Sequence, residues 1–177
     1  MITSQCEPCG VPYGEPETAS TISPRRIVVG IGHDYRRDDA VGLVVARAVA
    51  ARSEAGLVVC CLGEDILRLL EFMQPGAHIV IVDAVVSGAP AGTIHHIDLL
   101  RGSDGDAQSA GSSHVFGLGQ VLALAHAMGC APTVLRLVGV EAADLSLGSG
   151  LSPAVAASIA AAVAVARRLV MGDVNRA

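Results

Sequence analysis

The feature that most constrains this chain is a regular alternation of short aliphatic runs with longer stretches of helical period. Ile27-Val28-Val29, residues 57–62, residues 78–82 and residues 133–140 are dominated by Val, Leu and Ile. These runs are too short to span a bilayer and too evenly apolar to be one-sided, so they read as strands buried on both faces. Between them, residues 40–53, 65–73, 114–128 and 152–171 fit helices. Pro75-Gly76 stops the second helix, and Ser152-Pro153 opens the last with a cap and a first-turn proline. Alternation of this kind implies a parallel sheet covered by helices on both faces. Residues 93–98 are more polar, and their alternation suits a sheet edge. The link from Asp83 to Thr93 is too short for a helical crossover, so this fourth strand is expected to run antiparallel to the third. The Gly-, Ser- and Asp-rich loop 99–113 then carries the chain back. The expected sheet is five-stranded and mostly parallel, with one antiparallel edge strand.

Residues 1–24 hold four of the eight prolines and no periodic apolar pattern. They are expected to form a flexible extension to a single α/β domain spanning 25–177. Within the extension, Cys6-Glu7-Pro8-Cys9 is a lone CxxC, a weak signal for metal or redox chemistry. With two Phe, two Tyr and no Trp, the core must be aliphatic. Net charge is −5 with no basic stripe, which argues against nucleic acid or acidic lipid as partner. The Ala-rich stretch 154–166 is too short and too weakly apolar for a membrane span. The first residues lack the basic start and apolar stretch of a secretory signal, so none is expected, and the odd count of five cysteines does not suggest a disulfide framework. A reduced, cytoplasmic protein is expected.

In open α/β sheets, sites form beyond the carboxyl ends of the parallel strands. Three polar clusters fall there: residues 30–39 after the first strand, Asp83 ending the third, and Ser112-Ser113-His114 opening a helix. Asp38 reads as a cap for the first helix. A second adjacent carboxylate, Asp39, needs another explanation. Asp83 at the tip of a buried strand faces desolvation and needs a partner. Together Asp39, Asp83 and His114 offer two oxygens and one nitrogen, a donor set that suits nickel or zinc, and either carboxylate can act as a general base. Gly30-Ile31-Gly32 resembles the start of a dinucleotide fingerprint, but its third glycine would fall at Tyr35, and Cys60-Cys61 stand where an acid belongs. The glycines instead suit a tight turn and the close approach of a partner chain. Cys60 and Cys61 point to opposite faces of their strand and read as core. His95 and His96 alternate in the same way and read as an edge-strand surface.

These residues resemble the motifs of the nickel–iron hydrogenase maturation endopeptidases, in order and at suitable spacing. The matching segments are Val28–Gly32, Arg37-Asp38-Asp39-Ala40-Val41-Gly42, Ile81-Val82-Asp83-Ala84, Ser112-Ser113-His114 with Gly117-Leu118, Leu137–Glu141, and Gly150-Leu151-Ser152-Pro153. The resemblance covers residues 25–170 and implies a three-layer α/β/α sandwich. It implies an aspartic-type endopeptidase that removes a C-terminal peptide from the hydrogenase large-subunit precursor once nickel is inserted. Asp39, Asp83 and His114 then contact a nickel ion carried by the substrate, with Asp39 and Asp83 as the catalytic carboxylates. Many members have Asn at His33 and Glu at Asp39, so the shorter Asp must reach further and His33 adds a fourth candidate ligand or proton carrier. Gly63-Glu64-Asp65 replaces a common Gly-Thr turn and bears on which hydrogenase is accepted. The alternative functions are a non-proteolytic nickel-binding assembly module and, more distantly, a hydrolase of the peptidyl-tRNA type. The shortage of basic residues beyond Arg36-Arg37 weighs against the last.

Overall fold

A computed structural model describes residues 25–52, 54–101 and 113–172. The expected extension 1–24, with Cys6 and Cys9, lies outside them, as does most of loop 99–113. In chain order the elements are strand β1 (Arg26–Ile31), a 3-10 helix η1 (Arg37–Ala40), helix α1 (Val41–Ala50), β2 (Leu57–Gly63) and a second 3-10 helix η2 (Ile66–Phe72). Then follow β3 (His78–Val85), β4 (Ile94–Asp98), α2 (Ser113–Ala127), β5 (Val134–Glu141) and α3 (Pro153–Gly172). The strands form one sheet in the order β2-β1-β3-β5-β4. The first four are parallel neighbours, and β4 lies antiparallel on β5.

Strand alternation sends side chains to two separate cores. Ile27, Val29 and Ile31 of β1, Ile79, Ile81 and Val85 of β3, and Leu135 and Leu137 of β5 face one side. There they pack against Leu69 and Phe72 of η2 and Leu118, Val121 and Ala125 of α2. Val28, Val80, Val82, Ala84, Val138 and Val140 face the other side, against α1 and α3. Cys60 and Cys61 are buried in opposite cores, as their adjacency in a strand requires. Two covered faces explain why the central strands carry almost no polar residues and why the few they do carry stand out.

The architecture agrees with the three-layer expectation, with four differences of detail. Residues 65–73 were expected to form an ordinary helix but form η2; its three-residue repeat puts Leu69 and Phe72 on one buried side in a single short crossover. β3 does not end on Asp83. It continues to Val85 with all eight residues buried, because β1 and β5 flank it and helices cover both faces. β4 does run antiparallel to β3, but β5 inserts between the two strands. Finally, α3 lies where the closing helix 152–171 was expected. Taken whole it is long and apolar enough to cross a membrane by length and composition, which the stretch 154–166 was read as too short and too weakly apolar to be. Its Val155, Ala162, Val163, Ala166, Leu169 and Val170 are instead buried in the core shared with α1.

Candidate active site

The turn that leaves β1 is built by close backbone contacts. Gly32 has φ +130°, and a Cβ there would stand 1.8 Å from the Asp39 carbonyl oxygen. Gly42, in the first turn of α1, lies against the strand ends: a Cβ would meet the Ile31 oxygen at 2.2 Å and the Val82 oxygen at 2.3 Å. A Cβ on Gly30 would likewise meet the Gly42 oxygen at 2.4 Å, so Gly30 and Gly32, expected to serve a tight turn and the approach of a partner chain, admit the chain's own η1–α1 junction. The effect is to lay residues 39–42 across the carboxyl ends of β1 and β3, beside Val82 and hence beside Asp83.

Asp83 is fully buried and Asp39 nearly so. On β3, Asp83 shares the sheet face of Ile79, Ile81 and Val85, the face covered by α2. Its Oδ1 accepts the Ala84 N–H at 2.8 Å. α2 approaches the same end of the sheet: Gly117, in its first turns, sits 3.3 Å from the Ile66 side chain at the start of η2, measured from an added Cβ. His114 is the second residue of α2, and its side chain lies outside the described part of the structure. The elements bearing Asp39, Asp83 and His114 thus converge on the carboxyl ends of the parallel strands. Among the described residues, no three His, Cys, Asp or Glu side chains form a ready metal cluster.

Asp38 has a role other than the expected helix cap. The η1 start shows no side-chain cap. Instead the Asp38 carboxylate accepts the N–H groups of Ser152 (2.6 Å), Ala143 (2.9 Å) and Asp144 (3.0 Å), tying the β5–α3 loop to the β1 exit. Burial pushes its pKa up, but these backbone donors outweigh burial and hold it below the ordinary value of 3.8. The same two loops are joined by Arg37 N–H to the Gly148 carbonyl, Gly148 N–H to the Tyr35 carbonyl, and an Arg37–Asp144 ion pair. Arg37 adopts φ +45°, the left-handed exception among the described non-glycine residues. Arg36 donates to the Leu145 carbonyl. Arg36 and Arg37 are therefore both occupied within the fold. His33 Nδ1 accepts the Tyr35 N–H at 3.1 Å, which leaves only its second ring nitrogen for other work.

A second buried carboxylate cluster went unrecognised in the sequence. Glu141, 2% exposed at the end of β5, accepts the N–H groups of Ser87 and Gly88 through Oε1 and the Ser87 hydroxyl through Oε2. Its Oε2 also lies 3.0 Å from His95 Nε2. Burial pushes its pKa up, while the Ser87, Gly88 and His95 bonds together hold it below the ordinary 4.5. His95 therefore does not belong to a solvated edge surface, whereas its neighbour His96 is exposed. Asp83, Gly139 and His95 are register partners across β3, β5 and β4 and so share one face. The available signal was a glutamate closing a buried strand, a position that demands donors. Away from all of this, a cleft of about 380 Å³ lined by His78, Asp98, Arg101 and Arg136 opens at the amino ends of β3 and β5, remote from the carboxylates.

Fold and site together define a three-layer α/β/α protein with buried carboxylates at the carboxyl ends of its central strands. Comparison with known proteins narrows the class. The family model for the HycI hydrogenase maturation protease matches residues 43–168, a span that includes Asp83 and His114 and begins just after Asp39. The hydrogenase 2 maturation protease of Escherichia coli (strain K12) is 34% identical over 140 residues, covering 76% of this chain and 84% of that protein. The hydrogenase expression/formation protein HupD of Rhodobacter capsulatus is 31% identical over 150 residues, covering 81% and 70%. Among solved structures, the hydrogenase maturating endopeptidase HybD from E. coli superposes with a TM-score of 0.70 at 28% identity, covering 80% of this chain and 88% of that one. HybD from Thermococcus kodakarensis gives 0.64 at 26%, covering 82% and 99%. The chain belongs to the hydrogenase maturation protease family.

Proposed function

We propose that this protein is an endopeptidase that removes the C-terminal peptide of a nickel–iron hydrogenase large-subunit precursor after nickel insertion. It reads the nickel carried by that substrate through Asp39, Asp83 and His114. The observation that carries this reading is the pair of buried carboxylates, Asp39 and Asp83, on separate elements at one end of the sheet. A buried carboxylate is costly unless it is paired or hydrogen-bonded, and two of them on separate elements at one sheet end supply oxygen donors in one place. Two oxygens and an imidazole nitrogen suit nickel and leave positions open for the substrate's own ligands. In the hydrolytic step, Asp39 or Asp83 takes a proton from the attacking water, and the proton passes to the departing amine. Inside a cytoplasmic maturation route, cleavage then seals the nickel site of the hydrogenase.

The test incubates the protein with its hydrogenase precursor, with and without nickel loading, and weighs the large subunit. Loss of a C-terminal peptide from the nickel-loaded form alone is the expected result. Stable association with no change of mass would instead favour a non-proteolytic assembly module.

A further inference from the structure

Among the described residues, six large hydrophobic side chains are well exposed. Four of them occur one on each segment leaving a parallel strand: Tyr35 after β1, Leu67 in the first turn of η2 after β2, Val86 after β3, and Leu147 after β5. The other two, Leu124 and Met128, lie at the far end of α2, which leads within a few residues to the amino end of β5. Scattered exposed hydrophobics are ordinary, but their gathering around one end of a sheet is not. That end carries Asp39 and Asp83.

Tyr35 and Leu147 are the most exposed members, at 71% and 81%. They are also held side by side. The Gly148 N–H donates to the Tyr35 carbonyl at 2.9 Å, the Arg37 N–H to the Gly148 carbonyl at 3.0 Å, and the Asp38 N–H to the Asp144 carbonyl at 3.1 Å. The buried Asp38 carboxylate and the left-handed Arg37 complete this staple. The bracing seats Leu145 and Leu151 of the β5–α3 loop against the core, yet Tyr35 and Leu147 themselves stay exposed. It does present two apolar groups in a rigid arrangement, which lowers the ordering cost of binding. His33 stands edge-on to Tyr35, with ring centroids 5.9 Å apart, and further limits its motion.

We infer that Tyr35 and Leu147, flanked by Leu67 and Val86, form the docking surface for the folded body of the hydrogenase large-subunit precursor, around the acidic site that receives its C-terminal segment. The occupant follows from continuity: the ring surrounds the site, so whatever delivers a peptide to Asp39 and Asp83 must cover it. A folded protein with an apolar patch beside its C-terminal segment fits; a short free peptide would leave most of the ring exposed. This inference rests on the processing reading above, and the experiment separates the two.

Binding of nickel-loaded precursor is measured for the wild-type protein, a Tyr35→Ser/Leu147→Ser double variant and a Leu124→Ser/Met128→Ser control, with large-subunit mass recorded in parallel. Thermal melting verifies that each variant is folded. The docking surface predicts a Kd weakened about tenfold or more in the first variant and unchanged in the control. A Kd within about twofold of wild type for Tyr35→Ser/Leu147→Ser, or equal losses in both variants, overturns it. Self-association of the wild type that the double variant abolishes would assign the patch to a second copy and likewise overturn it. Binding lost in the double variant while even the wild type leaves the mass unchanged would keep the surface and remove the protease reading.

Discussion

Asp38 and Asp39 are adjacent buried acids for which we propose opposite duties. Asp38 accepts three backbone N–H groups from a loop more than a hundred residues away, so Asp38→Ala strands three donors in a buried setting. A loss of about 2–4 kcal/mol is expected from urea unfolding, and a change within error would show that water replaces the carboxylate. Acid adds a second signature. Asp38 and Glu141 both bind a proton more weakly in the folded state than their ordinary values of 3.8 and 4.5. Their stabilisation is therefore complete above those values and is lost as pH falls through the lower folded-state values. Asp38→Asn should accordingly flatten the fall in stability below about pH 4, read from melting temperatures across that range. The buried, paired acids were legible only in part. A carboxylate ending an apolar run signals burial, but partners such as His95 and Ser87 for Glu141 lie far off in the chain and are found only by folding it.

The elements that hold the site depend on contact between backbones. Gly42 lets α1 rest on the ends of β1 and β3, with 2.2–2.3 Å between a hypothetical Cβ and two strand carbonyls. Neither carbonyl can move without breaking a ladder, so Gly42→Ala is expected to cost about 3 kcal/mol or more. It should also slow processing, because α1 carries η1 with it. Full stability in that variant, by denaturant titration, would mean that the helix start is not pressed against the sheet. The strands themselves were legible because runs such as Val28-Val29 and Ile79–Val82 are apolar on both faces. Their ends were not. Asp83 resembles a strand terminus in sequence, yet two covering layers let β3 run on to Val85. Nor can local pattern say that β5 slips between β3 and β4, since that choice depends on pairing across the long connection containing α2.

For the whole molecule, one end of the sheet gathers, among the described residues, the buried carboxylates, the braced loops after β1 and β5, and four of the six well-exposed apolar side chains. Alternating strands and helices foretold a covered sheet, and the rule that sites lie beyond the carboxyl ends of parallel strands pointed to the end where Asp39 and Asp83 are buried. The partners of Asp38 required the coordinates, because the Ser152, Ala143 and Asp144 N–H groups lie far off in the chain and a helix cap was the local reading. The most direct test of the account is the rate at which folded Asp39→Asn, Asp83→Asn and Asp38→Asn variants shorten nickel-loaded precursor, followed by intact mass. The account predicts at least about a hundredfold slower cleavage for Asp39→Asn and Asp83→Asn, with a near wild-type rate at saturating precursor for folded Asp38→Asn, whose bracing acts on docking and not on the cleavage step. Wild-type rates in Asp83→Asn, or a loss confined to Asp38→Asn, would contradict it.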